Sequence, residues 1–270
     1  MPPPQRRGRC SDVLRIGQRA ERAGFRSIHK ASVVSTMDEA GVAARAGDAD
    51  RVWFTSDEQT GGRGRHGRSW ASPKGNLYST LFLSDPCRPH FAPQLGFVAG
   101  LALRDSLRRL TGDDRFRLKW PNDVLVDGAK LAGILLEGVT LLTRSHHASP
   151  AVLIGVGVNV KHHPANLPYA ATDLAELGWE CDANDVFAAL TDAFASRLEQ
   201  WDCARDFASI RADWIDAAAG VGGPVSVSLP DRTVTGTYTG IDEDGRLLVV
   251  TDAGEQIIDA GEVMLRGKAA

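Results

Sequence analysis

Gly61-Gly62-Arg63-Gly64-Arg65-His66-Gly67-Arg68 interleaves four glycines with three arginines and one histidine. Glycine admits positive φ and close approach of a ligand to the backbone. Arginine brings a permanent charge and a planar fork of donors that fits carboxylate or phosphate. The stretch reads as a mobile loop able to close over an anion. It leaves a strand, since Val52-Trp53-Phe54-Thr55 is rich in β-formers. Gln59 and Thr60, just before it, can both donate and accept hydrogen bonds. It is neither a Walker A loop nor a GxGxxG turn. The competing reading is an RGG-type strip for nucleic acid. Such strips sit in low-complexity surroundings, which are missing here. A net charge of −3 also supplies no basic field to attract a polyanion.

Working outward, the chain alternates helical and strand patterns. A short helix is expected over residues 13–24, and a second from Ser35 or Thr36 to Gly47, with Glu39 placed as in a capping box. Leu77 to Leu83 reads as a strand and residues 93–110 as a helix, whose Leu95, Val98, Leu101 and Ala102 recur at helical spacing. Val124-Leu125-Val126, the turn Asp127-Gly128 and Leu131 to Glu137 form a hairpin. Ala151 to Val160 alternates as a strand, with Gly155, Gly157 and Asn159 on one face and Ile154, Val156, Val158 and Val160 on the other. Residues 161–178 read as a long surface loop, followed by amphipathic helices over 184–201 and 205–216. The run Ala217 to Pro224 marks a boundary. Beyond it, short strands over 225–229, 233–241, 247–251 and 256–259 predict a small SH3-like barrel.

Composition narrows the class. At 270 residues, 43% hydrophobic and 24% charged, the chain has ordinary globular content and enough length for a real core. No apolar run approaches the roughly 20 residues of a membrane helix. The basic start, Met1 to Arg9, lacks the apolar run of a secretory signal, so the cytoplasm is the expected compartment. Residues 1–12 are expected to be disordered. Cys10, Cys87, Cys181 and Cys203 are scattered without CxxC spacing, which favours free thiols over zinc or disulfides.

Several residues carry chemistry. Lys130 opens a strand beside the small residues Ala132 and Gly133, leaving room for a ligand whose negative charge it could hold. Trp120-Pro121-Asn122-Asp123 joins a stacking ring, a rigid turn and two short polar side chains. Gly155, Gly157 and Asn159 leave a bare strip of backbone ending in an amide, suited to a flat ring or a phosphate. The pairs His146-His147 and His162-His163 fall in loops, and no metal site is read from them. No Ser-His-Asp set has nucleophile-elbow spacing.

Taken in order, Ser35-Thr36, Glu58 to Trp70, Lys119 to Asp123, Lys130 to Ile134 and Gly155 to Asn159 closely resemble the bacterial biotin–protein ligases. The resemblance runs over roughly residues 30–268. It implies an α+β fold: a mixed-sheet catalytic domain of the biotin/lipoate ligase type over 30–220, with helices on the sheet, and an SH3-like domain over 221–268, after an N-terminal segment of residues 1–29. It implies ATP-dependent attachment of biotin to a lysine of a carboxylase's biotin carboxyl-carrier domain, through biotinyl-5′-AMP, with ATP, biotin and Mg2+ taking part. By resemblance Ser35, Thr36, Gln59, Arg63, Gly64, Arg65 and Lys130 bind biotin. Lys130 and Arg65 are the catalytic residues, and Arg68, Trp70, Asn122 and Asn159 line the nucleotide side. The family commonly has Ser-Thr-Asn where this chain has Ser35-Thr36-Met37, which removes an amide; Asp38 is the nearest replacement. About 30 residues precede the catalytic region, too few for the DNA-binding domain of some members, so the expectation is a ligase that does not bind DNA. A lipoate or other acyl-protein ligase on the same fold is the alternative; the arginine-rich loop argues against it. The acceptor carboxylase and a homodimeric state are left open.

Overall fold

The computed structural model describes residues 14–47, 50–142 and 148–265. Seven strands form the larger sheet: Arg26–Val33 (β1), Val52–Gln59 (β2), Leu77–Ser84 (β3), Phe116–Lys119 (β4), Asp123–Val126 (β5), Ala129–Leu142 (β6) and Ala148–Val158 (β7). Their order is β1-β2-β3-β7-β6-β5-β4. β1 and β2 run parallel and the remaining neighbours antiparallel, so the sheet is mixed.

The period of two in β7 explains the layering. Val152, Ile154, Val156 and Val158 point into the main core, beneath Gln18–Arg22 (α1), Gln94–Thr111 (α3), Ala183–Trp201 (α4) and Phe207–Ala217 (α5). Ala151 and Leu153 point to the other face, where Thr36–Ala46 (α2) packs through Met37, Ala40, Ala43 and Ala44. β2 divides in the same way. Trp53 meets the edges of Phe187 and Phe194, each with centroids 5.7 Å away, while Val52 and Phe54 turn toward α2. Full burial of an aromatic of this kind is worth about 2–3 kcal/mol. α2 covers only part of its face. Beyond its N-terminus the same face continues as Gly155 and Gly157, with no side chains to fill it. That gap is the floor of the cavity described below.

Pro224–Ser228 (β8), Thr233–Ile241 (β9), Leu247–Thr251 (β10), Gly254–Ile258 (β11) and Glu262–Leu265 (β12) make an antiparallel sheet in the order β11-β10-β9-β8-β12, an SH3-like unit. Its interior is continuous with the main core: Val225, Val227, Tyr238, Leu247 and Val249 belong to one buried cluster with Leu95, Phe97 and Trp214.

Some expectations need correction. The first helix is confined to Gln18–Arg22, its start held by Asp192, whose carboxylate accepts from the Ala20 N–H at 3.0 Å. β1, β4 and β12 are strands that no periodicity announced. Glu39 does not complete a capping box; it pairs with Lys30 at 2.5 Å, and Ser35 alone caps α2 by accepting from the Met37 N–H. Residues 161–178 are not a free surface loop. Leu174 is fully buried, and the Lys130 N–H and Thr172 N–H bond to Ala170 O and Lys130 O, at 2.8 and 3.0 Å. Residues 1–12 and the His146-His147 pair lie outside the described residues.

Candidate active site

One cavity collects most of the residues singled out above. It encloses about 990 Å³ of space, its open mouth included. Its floor is the bare face of β7 with Gly133 of β6. Its walls are the N-terminus of α2, the glycine–arginine loop, the 119–123 turn, Tyr169, and Gly261 to Val263 of the barrel.

The inner end is polar, buried and internally satisfied. The Thr36 N–H and Oγ1–H both reach Gln59 Oε1, at 2.8 and 3.1 Å, and Thr36 Oγ1 lies 2.8 Å from Thr80 Oγ1. Gln59 Nε2 donates to Ser72 Oγ at 3.0 Å, which donates to Trp70 O at 2.9 Å. This network fixes which end of the Gln59 amide faces which neighbour. The Met37 side chain stands beside it and brings only apolar surface. Its methyl lies over Gly155, where a Cβ would come within 2.8 Å.

The outer end is cationic. Lys130 Nζ sits 2.6 Å from Asp123 Oδ1, and 5.5 and 5.6 Å from the ring centres of Trp70 and Tyr169. Its side chain is only 18% exposed, so the ammonium is held in place rather than solvated. Lys119 lines the same end. Burial pulls its pKa down and the nearby Lys130 charge adds to this, with Asp123 opposing. Trp70 stands over Gly157, where a Cβ would fall 2.7 Å from the indole, so only glycine leaves this ring its place. Among the described residues, the indole N–H has no hydrogen-bond partner.

The glycine–arginine loop is a small hairpin, closed by the Arg63–Ser69 bridge and by the Gly64 N–H to Arg68 O bond at 2.7 Å. Its arginines are spoken for one by one. Arg63 pairs with Asp38 at 2.7 Å and reaches Glu137 at 3.7 Å; the Asp38 hydrogen bond holds its pKa up. Arg65 donates to Asn122 Oδ1 at 3.4 Å, and burial lowers its pKa, though a guanidinium stays charged. Arg68 grips Glu262 with both Nη atoms, one at 2.8 Å, and this bond lowers the Glu262 pKa.

Thus Ser35, Thr36, Gln59, Arg63, Gly64, Arg65, Arg68, Trp70, Asn122 and Lys130 all line one cavity. Asn159 does not. It follows the end of β7, and its Nδ2 donates to Thr172 O at 3.0 Å, in a side depression shared with Ser69, Trp70, Lys130 and Tyr169. Lys119, Asp123, Tyr169 and Glu262 were not singled out as site residues. The first two lie within the quoted Lys-Trp-Pro-Asn-Asp motif. Tyr169 sat in a segment read as loop, and Glu262 carried no sequence signal. Among the described residues, no cluster of three or more His, Cys, Asp or Glu could hold a metal; His163 pairs with Asp173 at 2.8 Å.

Comparison with known proteins bears on the fold and the family. Residues 43–159 match the biotin/lipoate A/B protein ligase family and residues 221–266 the biotin protein ligase C-terminal domain. The biotin–[acetyl-CoA-carboxylase] ligase of Paracoccus denitrificans is 39% identical over 223 residues, 80% of this chain and 91% of that one. The enzyme of the same name from Mycobacterium tuberculosis is 36% identical over 82% of each chain. The biotin protein ligase of Aquifex aeolicus, solved in complex with biotin and ATP, superimposes with a TM-score of 0.74 at 29% identity, covering 89% of this chain and 98% of that one. A chain that shares this much sequence with such ligases, along nearly all of their length, belongs to the biotin protein ligase family.

Proposed function

We propose that this chain attaches biotin to a lysine of a carboxylase carrier domain in two steps. In the first, a biotin carboxylate oxygen attacks the α-phosphorus of ATP. The bond to the bridging oxygen breaks, giving biotinyl-5′-AMP and pyrophosphate. In the second, the carrier's lysine amine attacks the acyl carbon, the acyl–phosphate bond breaks, AMP leaves and a proton is released.

The observation that carries this reading is the two-ended cavity. The Thr36, Gln59 and Thr80 network, with Ser35 beside it, suits a neutral ring with donors and an acceptor, as in the ureido group of biotin. Lys130, Arg65 and Lys119 at the outer end suit a carboxylate meeting a triphosphate, and stabilise charge as it grows on the transferring group. Trp70, Asn122 and Arg68 then border the nucleotide, with Arg63 and Gly64 closing over biotin. Asn159 would act from behind Trp70 and Lys130. Mg2+ fits as a companion of the phosphates, needing few protein ligands. The carboxylates in reach, Asp123 and Glu262, are both engaged by cations. A division near residue 220 into catalytic and barrel domains, and a cytoplasmic setting beside the carboxylases, belong to the same reading; no helix of the described residues is long and apolar enough to cross a membrane.

The test is exchange of labelled pyrophosphate into ATP. It should depend on biotin and should fail with lipoate or octanoate. Equal exchange with lipoate or octanoate rejects the biotin assignment.

A further inference from the structure

We propose that Trp120 is a positioning residue, through which a turn of the C-terminal barrel sets Arg65 and Lys130, the cations assigned to the reacting groups; this rests on the function proposed above. The indole of Trp120 is 3% exposed, and its Nε1–H donates to Gly245 O at 2.9 Å. The ring therefore ties the wall of the cavity to the barrel.

The acceptor end is rigid. Gly245 lies in the turn between β9 and β10, closed by its own N–H on Asp242 O at 3.1 Å. Asp242 Oδ1 accepts from the N–H groups of Asp244 and Arg246, at 3.0 and 2.8 Å. Gly245 has φ +83°, and a Cβ there would come 2.5 Å from Phe97, so the turn is pressed against α3. Its carbonyl is a fixed point.

The donor end leads into the site. The two polar residues after Trp120 and Pro121 each hold one cation. Asn122 accepts from Arg65 at 3.4 Å while its own Nδ2 donates to Ile134 O at 2.7 Å. Asp123 pairs with Lys130 at 2.6 Å. A displacement of this turn moves both cations together. A misplacement of about 1 Å in a reacting site can cost about a hundredfold in rate.

The experiment is a double-mutant cycle on ATP–pyrophosphate exchange in the full chain. Trp120→Phe keeps the ring and removes the donor. It should lower kcat about tenfold, an intermediate loss on that scale, and leave the KM for biotin within about twofold, because the Thr36–Gln59 end is untouched. The loss should shrink to less than about threefold in an Asn122→Ala, Asp123→Asn background, because coupled residues are not additive. Asp242→Ala loosens the turn from the barrel side and should reproduce the kcat loss; it carries the test if Trp120→Phe does not fold. Full additivity, or an Asp242→Ala variant with unchanged kcat, overturns the proposal. Failure of the unaltered chain to exchange with biotin would instead overturn the functional reading on which it rests.

Discussion

Replacing Lys130 with methionine removes a charge and keeps a chain of similar length. Two effects follow, and they can be separated. The first is loss of a cation facing the growing negative charge. A unit charge about 4 Å away at an effective dielectric near 20 is worth about 4 kcal/mol, and the removal of one preorganised donor from such a site costs about 3–4 kcal/mol. Either figure predicts a loss of roughly a hundred- to a thousandfold in exchange rate. The second effect is local to this chain. Lys130 masks Asp123, whose side chain is only 15% exposed. Without the ammonium, that carboxylate faces the triphosphate as a like charge, softened by Lys119 and the more distant Arg65 and Arg68. Lys130→Met should therefore be slower than Lys130→Met combined with Asp123→Asn, the opposite of what two independent losses would give. The assay is exchange at saturating biotin, with circular dichroism to verify the fold. If Lys130→Met keeps more than a tenth of the exchange, Lys130 lacks the proposed role. If the double variant is slower than the single one, the masking argument is wrong.

Three further outcomes are expected. Gly157→Ala places a methyl 2.7 Å from the Trp70 indole. It should cost about tenfold in exchange, in line with roughly 1–3 kcal/mol of overpacking; Gly138→Ala, with open space around it, should be silent, and equal activity of the two would show that Trp70 can move freely. The loop of residues 61–68 should gain amide protection with biotin plus ATP, and Arg65→Gly should release the adenylate faster, read as biotin on lysines of bystander proteins; equal protection in both states and no added labelling would make the loop a static scaffold. Glu262 has a lowered pKa because of Arg68, so its contribution to stability is present above the unfolded pKa and lost as pH falls through the folded value. The melting-temperature gap between the native chain and Glu262→Gln should be present at neutral pH and close in acid below the ordinary glutamate range; a gap that widens there would reverse the sign.

The floor of the site was legible because β7 alternates between large apolar residues and glycine, and a period of two leaves little freedom. The Ser35 cap, the loop and Lys130 were legible because each residue type has few other uses in that context. What stayed hidden has physical causes: the residues of β1, such as Arg26-Ser27-Ile28-His29, carry little apolar pattern and pair with a strand 26 positions on, while β4 is four residues long, too short for its Phe116 and Leu118 alternation to stand out. Glu262 reaches the cavity only because the barrel packs where it does. Tyr169 reaches it because residues 170–172 are strapped to Lys130 by backbone bonds, and backbone bonds leave no mark on sequence. Asn159 lies outside the main cavity, in the side depression behind Trp70, because the strand ends two residues earlier than the alternation suggested.

The two ionic tethers of the glycine–arginine hairpin make ionic strength a variable of this site. Arg63 with Asp38 and Arg68 with Glu262 are each between about two-fifths and half exposed. Screening shrinks the Debye length from about 10 Å at 0.1 M salt to about 3 Å at 1 M. Salt therefore acts on the hairpin's resting state as well as on any anion beneath it. Affinities measured in different buffers would combine two equilibria, ligand against water and arginine against carboxylate. A salt titration of the empty chain is the baseline from which the ligand's own share has to be read.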